Sequence, residues 1–162
     1  DIRVASSSSK YSFPFTKRGI APDACSSWFL PRLVGISKSL EWCISGEMID
    51  ADTALESGLI SYKVDPDDLM SATLSIAKKI IKDSSPVSVA LTRQMIWGLS
   101  QKDSPESAHI VDSMVIESRG KSKDAAEGVM SFLEKRDAIF ENKVSKDMPD
   151  FFPFEKSKFE DS

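Results

Sequence analysis

Residues 18–35 read Arg-Gly-Ile-Ala-Pro-Asp-Ala-Cys-Ser-Ser-Trp-Phe-Leu-Pro-Arg-Leu-Val-Gly, and this stretch decides the fold. Small residues followed by bulky apolar ones predict a helix that begins at Pro22 and runs to Val34. Gly35 is a suitable stop for this helix. The internal Pro31 predicts a kink or a break.

Asp23 is the residue in this stretch that could carry chemistry. Small residues at the start of a helix let a ligand approach the backbone N–H groups. A carboxylate beside an apolar wall suits the transfer of a proton. An aspartate ahead of a helix is also a common N-cap, so the residues alone leave a catalytic and a capping interpretation of Asp23 open.

Short strands are predicted ahead of this helix, at residues 2–5 and 11–15, and Pro14 places the second at a sheet edge or a strand end. A further strand is predicted at residues 59–64. Outside this strand, the chain after Gly35 is helical by its apolar periodicity and its helix-start residues. These predicted starts are Ser37, Asp50, Asp65, Pro86, Ser104 and Ser122. The segment from Glu141 onward has no period and is expected to drape over a surface or to be partly disordered.

Composition excludes several classes of protein. The 162 residues suffice for one domain with a core, and 41% hydrophobic and 28% charged residues are typical of globular proteins. The net charge is −4 and Lys and Arg form no block, which disfavours nucleic-acid binding. No apolar run approaches membrane-spanning length. Cys25 and Cys43 form no disulfide framework, so we expect reduced thiols and a cytoplasmic location.

Metal and nucleotide sites have no support in the sequence. His109 is the only histidine, so neither a zinc spacing nor a triad built around a second histidine exists. We expect His109 to be a partly exposed helix residue. Glycine-rich phosphate loops are absent as well.

Several stretches, in this order and spacing, together resemble the crotonase (enoyl-CoA hydratase/isomerase) family. The first is Asp-Ile-Arg-Val-Ala-Ser at the start of the chain, and the last is the closing motif, which contains Asp-Ala, Glu-Gly and Phe-Leu-Glu-Lys-Arg. The matching stretches are residues 1–6, 11–15, 18–23, 28–35, 45–60, 86–94 and 124–136.

The resemblance implies an α/β crotonase-like fold of stacked ββα turns, of which this chain would be the C-terminal half, mostly α with two or three short strands. Residues 1–64 would then belong to the core, residues 65–140 to a helical oligomerisation region, and residues 141–162 to a tail. The family processes acyl-CoA thioesters, binding the thioester oxygen with two backbone N–H groups. Those donors precede the Asp-Ile-Arg segment in the family and are expected to be missing here, so the parent protein is expected to be an enzyme and this fragment alone to be inactive. The chain opens without methionine, from which we expect a truncated gene or a cloned fragment.

The resemblance also implies individual site residues. Hydratases of the family use two glutamates, of which the first lies upstream and the second corresponds to Phe15. Some isomerases instead use one carboxylate at the position of Asp23, which makes Asp23 the expected general acid/base. Phe132 and Lys135 match positions that hold the CoA adenine and phosphates, against the alternative that Phe132 is core and Lys135 is solvated. No cofactor is expected beyond a coenzyme A thioester as substrate.

The partners implied are an acyl-CoA and further copies of the chain, as a trimer or hexamer, without nucleic acid or membrane. Two other functions compete with an enzyme acting on an enoyl-CoA. The chain could be a non-catalytic CoA-binding or oligomerisation module that lacks the oxyanion hole. It could also be a helical scaffold of unrelated function, which would require the run of motifs to be a coincidence.

Overall fold

The computed structural model describes residues 1–102 and 104–150 of the chain. The described chain divides into two compact units, one formed by Asp1–Lys78 and the other beginning at Lys79. The division falls inside a helix, α4 (Leu69–Ile81). The predicted division into core, oligomerisation region and tail concerns function and stays a prediction.

The first unit combines four short strands with the helices that follow them. The strands are β1 (Val4–Ser6), β2 (Lys10–Tyr11), β3 (Ile49–Asp50) and β4 (Tyr62–Val64). The helices are α1 (Ser26–Val34), α2 (Ile36–Ser45), α3 (Ala51–Glu56) and the start of α4, with 3₁₀ turns at Thr16–Arg18 and Pro66–Asp68. β1 pairs with β4 in parallel, and β2 pairs with β3 antiparallel.

The core of the first unit lies where the strands meet α1, α2 and α3. Phe13 stacks on Trp42 with ring centroids 6.1 Å apart and planes 4° apart. Arg3 fastens β1 to the loop after α3, because its Nε donates to the Leu59 carbonyl at 2.6 Å. The buried residues of this core are Ala5, Leu30, Trp42, Ile49, Ala54, Leu59 and Ile60.

The second unit is helical throughout its described part. Its helices are α5 (Pro86–Leu99), α6 (Pro105–Gly120), α7 (Lys123–Glu134) and α8 (Val144–Asp147). Val87, Leu91 and Val115 form its buried core, with Met95, Val111 and Met148 packed against them. His109 is exposed on α6, as expected of a lone histidine.

Most predicted helix starts lie within one residue of the starts in the structure. The predicted start at Pro22 is wrong, because left-handed residues at positions 24 and 25 delay the start of α1 to Ser26. The Asp50 carboxylate caps α3 by accepting from the Thr53 N–H at 2.8 Å, and the Ser122 hydroxyl caps α7 by accepting from the Ala125 N–H at 3.1 Å. Ser37 does not cap α2, which begins directly after Gly35. Pro31 does not end α1, which continues to Val34.

The segments around residues 15 and 141 differ from expectation. The second strand stops at Tyr11, and the chain turns instead into the 3₁₀ turn at Thr16–Arg18. A short helix, α8, follows Glu141 where no periodic structure was expected. The end of the predicted tail, residues 151–162, lies outside the described residues. No helix within residues 1–102 and 104–150 is long and apolar enough to cross a membrane.

Candidate active site

Asp23 lies at the first position of a tight turn that leads into α1. Its carbonyl oxygen accepts from the Ser26 N–H at 3.0 Å and from the Ser26 hydroxyl at 2.5 Å. The two residues between them, Ala24 and Cys25, have φ angles of 52° and 57°. Two left-handed central residues closed by this backbone hydrogen bond are the pattern of a type I′ turn, which favours glycine or asparagine.

This turn prevents Asp23 from capping the helix. The N-cap of α1 is Cys25, and no side chain supplies a capping hydrogen bond there. The Asp23 side chain is exposed, and within the described part of the chain its carboxylate has neither a hydrogen-bond donor nor an ion-pair partner. The capping interpretation is therefore wrong, and the carboxylate is free to exchange a proton with a ligand.

The helix behind this turn is held by its aromatic residues. Trp28 and Phe29 pack edge to face with ring centroids 4.8 Å apart. The Arg32 guanidinium lies 3.7 Å from the centroid of the Trp28 ring and donates to the Trp28 carbonyl at 2.9 Å. Leu30 anchors the other face of the helix in the core. These contacts fix the orientation of α1 and hence the position at which the turn presents Asp23.

Phe15 is held by the segment around it and brings no acid or base. The preceding Pro14 passes so close to Gly46 that a Cβ on that glycine would lie 2.9 Å from the Pro14 Cα. The next residue, Thr16, donates its hydroxyl proton to the Ile44 carbonyl at 2.7 Å. These contacts of its neighbours fix the position of Phe15. Its half-buried phenyl ring cannot accept a proton.

Phe132 and Lys135 lie in the second unit, at the C-terminal end of α7. The Phe132 side chain is 81% exposed, so the alternative that places it in the core of this unit is wrong. Lys135 is exposed and adopts the left-handed conformation at the C-cap, with φ 54°. Both residues are accessible to a ligand or to another chain, as a CoA-binding role requires.

An ion-pair cluster holds the chain that leaves α7. Both terminal nitrogens of Arg136 donate to the Glu127 carboxylate, at 2.6 Å and 2.8 Å, and Arg136 Nε donates to Glu134 at 2.6 Å. Glu127 also accepts from the Ile139 N–H at 2.8 Å. The hydrogen bonds from Arg136 and Ile139 lower the pKa of Glu127 from its ordinary 4.5 to about 2.

A buried carboxylate, Asp124, completes the fastening of the closing motif. One of its oxygens accepts from the Ser85 hydroxyl at 2.6 Å, and the other accepts from the backbone N–H groups of Glu141 and Asn142 at 3.1 Å. The Arg119 guanidinium lies 3.7 Å away. The sequence matched Asp124 to the closing motif but assigned it no role, because a partner 39 positions away in the chain leaves no local pattern.

Within the described residues, no group of three or more potential ligands lies close enough together to hold a metal ion.

Comparison with known proteins identifies the family. A sequence model described as Enoyl-CoA hydratase/isomerase matches residues 1–143. The chain belongs to this family. The predicted family and the partial, mostly helical crotonase-like fold are thereby confirmed.

Individual proteins of similar sequence carry the name of the same family. An enoyl-CoA hydratase of Alternaria alternata is 42% identical over 142 residues, which are 87% of this chain and 47% of that protein. A short-chain-enoyl-CoA hydratase of Clostridium acetobutylicum is 33% identical over 136 residues, which are 84% of this chain and 51% of that protein. The chain thus spans about half the length of the curated relatives it matches.

Solved structures agree in fold. An enoyl-CoA hydratase of Bacillus anthracis matches with a TM-score of 0.82 and 29% identity, covering 88% of this chain and 55% of that one. A probable enoyl-CoA hydratase/isomerase of Mycobacterium abscessus matches with a TM-score of 0.80 and 30% identity, covering 88% of this chain and 56% of that one.

Proposed function

We propose that this chain belongs to an enzyme that isomerises an enoyl-CoA thioester, with Asp23 as the general acid/base. The observation that supports this most directly is the exposed Asp23 carboxylate, which a tight turn keeps away from the helix N-terminus in a member of the enoyl-CoA hydratase/isomerase family. A general base must be able to reach the proton it abstracts, and a carboxylate engaged in capping could not do so.

Phe15 favours isomerisation over hydration. The family resemblance places the second hydratase glutamate at this position, and a phenyl ring can neither activate water nor donate a proton. One carboxylate suffices for isomerisation. Asp23 takes a proton from a carbon of the acyl chain, the C–H electron pair enters the conjugated enolate, and the same carboxyl returns the proton to another carbon. Water is neither consumed nor released.

The enolate needs stabilisation where negative charge develops on the thioester oxygen, and backbone N–H donors supply it in this family. We expect these donors from the part of the fold that precedes the Asp-Ile-Arg segment in the relatives. The exposed Phe132 ring and the Lys135 ammonium suit the adenine and the phosphates of coenzyme A, because the ring can stack and the cation can pair with phosphate. No cofactor other than the thioester substrate is required.

Assembly and location complete the proposal. Residues 65–140 would form the oligomerisation region of a trimer or hexamer, since helices α6 and α7 expose Ile110, Ile116, Val129 and Leu133. A cytoplasmic location agrees with the free thiols of Cys25 and Cys43.

Binding of acetoacetyl-CoA, an enolate mimic, tests the role of Asp23 without requiring turnover. We expect calorimetry to show binding that weakens in Asp23→Asn, while the matched variant Asp67→Asn, which changes another exposed carboxylate, binds as the unmodified chain does. Binding that is equal in all three proteins would contradict a role for Asp23.

Turnover of a 3-enoyl-CoA in ¹⁸O-labelled water by the whole protein, with the donors that precede the Asp-Ile-Arg segment, separates isomerisation from hydration. We expect an unlabelled 2-enoyl-CoA product and a rate that falls by about 10²–10⁴-fold in Asp23→Asn, the usual contribution of general acid–base catalysis. A parallel reaction with a 2-enoyl-CoA, whose conjugated double bond can add water, detects the alternative activity, because a product carrying ¹⁸O would identify a hydratase instead. Tight CoA binding without any turnover would support the alternative, a non-catalytic CoA-binding or oligomerisation module, which the aromatic residue at position 15 also favours.

A further inference from the structure

The turn between Asp23 and α1 differs from the usual start of a helix that follows an aspartate. An aspartate ahead of a helix normally becomes the N-cap, because its carboxylate accepts from an N–H group of the first turn. Here two left-handed residues, Ala24 and Cys25, intervene, and the N-cap falls on Cys25. The left-handed conformation is unfavourable for any residue with a Cβ atom, so other contacts must maintain this turn.

Ser26 supplies those contacts. Its N–H and its hydroxyl both donate to the Asp23 carbonyl oxygen, at 3.0 Å and 2.5 Å. The backbone bond is common to any residue in this place, whereas the hydroxyl bond requires serine or threonine. The Ser26 side chain therefore adds a second hydrogen bond across the turn, to the same Asp23 carbonyl oxygen.

We propose that Ser26 is a positioning residue for Asp23: its hydroxyl holds the turn in which the Asp23 carboxylate stays away from the N-terminus of α1. This inference rests on the proposed function of Asp23. Without the hydroxyl bond, the left-handed residues relax and the carboxylate moves to the capping position. A carboxylate that accepts N–H bonds is stabilised in its charged form, so a capping Asp23 is a weaker base as well as a misplaced one.

Backbone couplings of the free protein test the turn itself. Nuclear magnetic resonance of the whole chain reports φ at positions 24 and 25 through the couplings between the amide and Cα protons. We expect both residues to remain left-handed in Ser26→Thr and to lose this conformation in Ser26→Ala. The control is Ser37→Ala, which removes an exposed serine from the first turn of another helix, α2, and should leave both couplings unchanged.

Proton exchange tests the consequence for Asp23. Exchange of acyl-chain hydrogens of a 3-enoyl-CoA for deuterium in D₂O is measured in the whole protein, with the donors that precede the Asp-Ile-Arg segment, for the unmodified form, Asp23→Asn and the Ser26 variants. We expect Ser26→Ala to lower the rate at saturating substrate about 10-fold with KM within about twofold, because misplacement affects the reacting geometry more than ligand binding. Ser26→Thr should restore the rate to within about threefold, and Ser37→Ala should match the unmodified chain.

The outcomes separate the two proposals. An unmodified protein that carries the upstream donors and exchanges no faster than its Asp23→Asn variant refutes the proposed function and the positioning of Asp23 with it. A rate that depends on Asp23 but is unchanged in Ser26→Ala refutes the positioning alone, as does a turn that keeps both left-handed residues in that variant. Should Ser26→Ala fail to fold, Ser26→Cys, whose thiol is only a weak donor, carries the same expectations.

Discussion

Replacing Asp124 tests whether the closing motif is a structural fastening. The Asp124 side chain lies almost fully buried and accepts from Ser85 and from the N–H groups of Glu141 and Asn142. Asp124→Ala removes all three acceptor contacts at once and, like Asp124→Asn, the ion pair with Arg119, whose guanidinium keeps its hydrogen bond to Asn142. Asp124→Asn keeps an oxygen for the two backbone donors, and its amide group can donate to the Ser85 hydroxyl oxygen.

The expected cost follows from the burial of each donor. The Ser85 hydroxyl is buried and keeps only the Ser88 N–H as a partner, so the loss of an acceptor for its proton costs about 1–3 kcal/mol. The N–H groups of Glu141 and Asn142 are only partly buried and can turn to water, so together they add about 1 kcal/mol. The Asp124→Ala cost is then about 3 kcal/mol, and that of Asp124→Asn is about 1 kcal/mol.

Thermal denaturation followed by circular dichroism measures this difference. About 3 kcal/mol corresponds to a Tm lower by roughly 6–12 °C for a chain of this size, and amide exchange at positions 141 and 142 should accelerate with it. Asp112→Ala, which changes an exposed aspartate on α6, is the control and should change stability by less than about 0.5 kcal/mol. An Asp124→Ala protein within about 1 kcal/mol of the unmodified chain would refute the fastening role.

Two further predictions concern the ion-pair cluster and the approach of the chain to α2. The pKa of Glu127 is about 2 when the protein is folded, against an ordinary 4.5, so its pairing with Arg136 stabilises the fold above pH 4.5 and is lost as the pH falls towards 2. In Glu127→Gln, urea denaturation should therefore show a smaller loss of stability over this range, and an unchanged loss would contradict the assignment. Gly46→Ala should destabilise by about 1–3 kcal/mol because a Cβ there would meet Pro14 at 2.9 Å. Gly19→Ala shares a positive φ but has open space, so it should cost less, and equal Tm losses in the two variants would exclude the steric cause.

Helix caps were predictable from the sequence because their chemistry is local. Asp50 and Ser122 each accept from an N–H three residues ahead, and that spacing is visible in the sequence. The start of α1 was not predictable in the same way. Pro22 and Asp23 have the composition of a helix start, but the turn that displaces it needs two left-handed residues without glycine, which no propensity favours.

The polar contacts of the second unit could not be predicted from the sequence, because their partners lie far apart in the chain. Glu127 and Arg136 are nine residues apart, which is not a spacing that brings side chains together on one helix. They meet because the chain reverses after Lys135. Ser85 and Asp124 meet only because the start of α5 lies beside the start of α7. The family resemblance marked most of these residues as a group, while the physical role of each required coordinates.

The candidate site was predicted in its residues but not in its geometry. The decisive property of Asp23 is what its carboxylate does not contact, and sequence cannot reveal a capping bond that fails to form. This property also bears on the proposed reaction. Adding water to a double bond requires a base for the water and an acid for the carbon, whereas moving a double bond requires one group that gives back the proton it took. An uncommitted carboxylate at position 23, together with a phenyl ring at position 15 in place of the second glutamate, meets the second requirement and not the first. These two residues therefore favour the proposal of an isomerase over that of a hydratase.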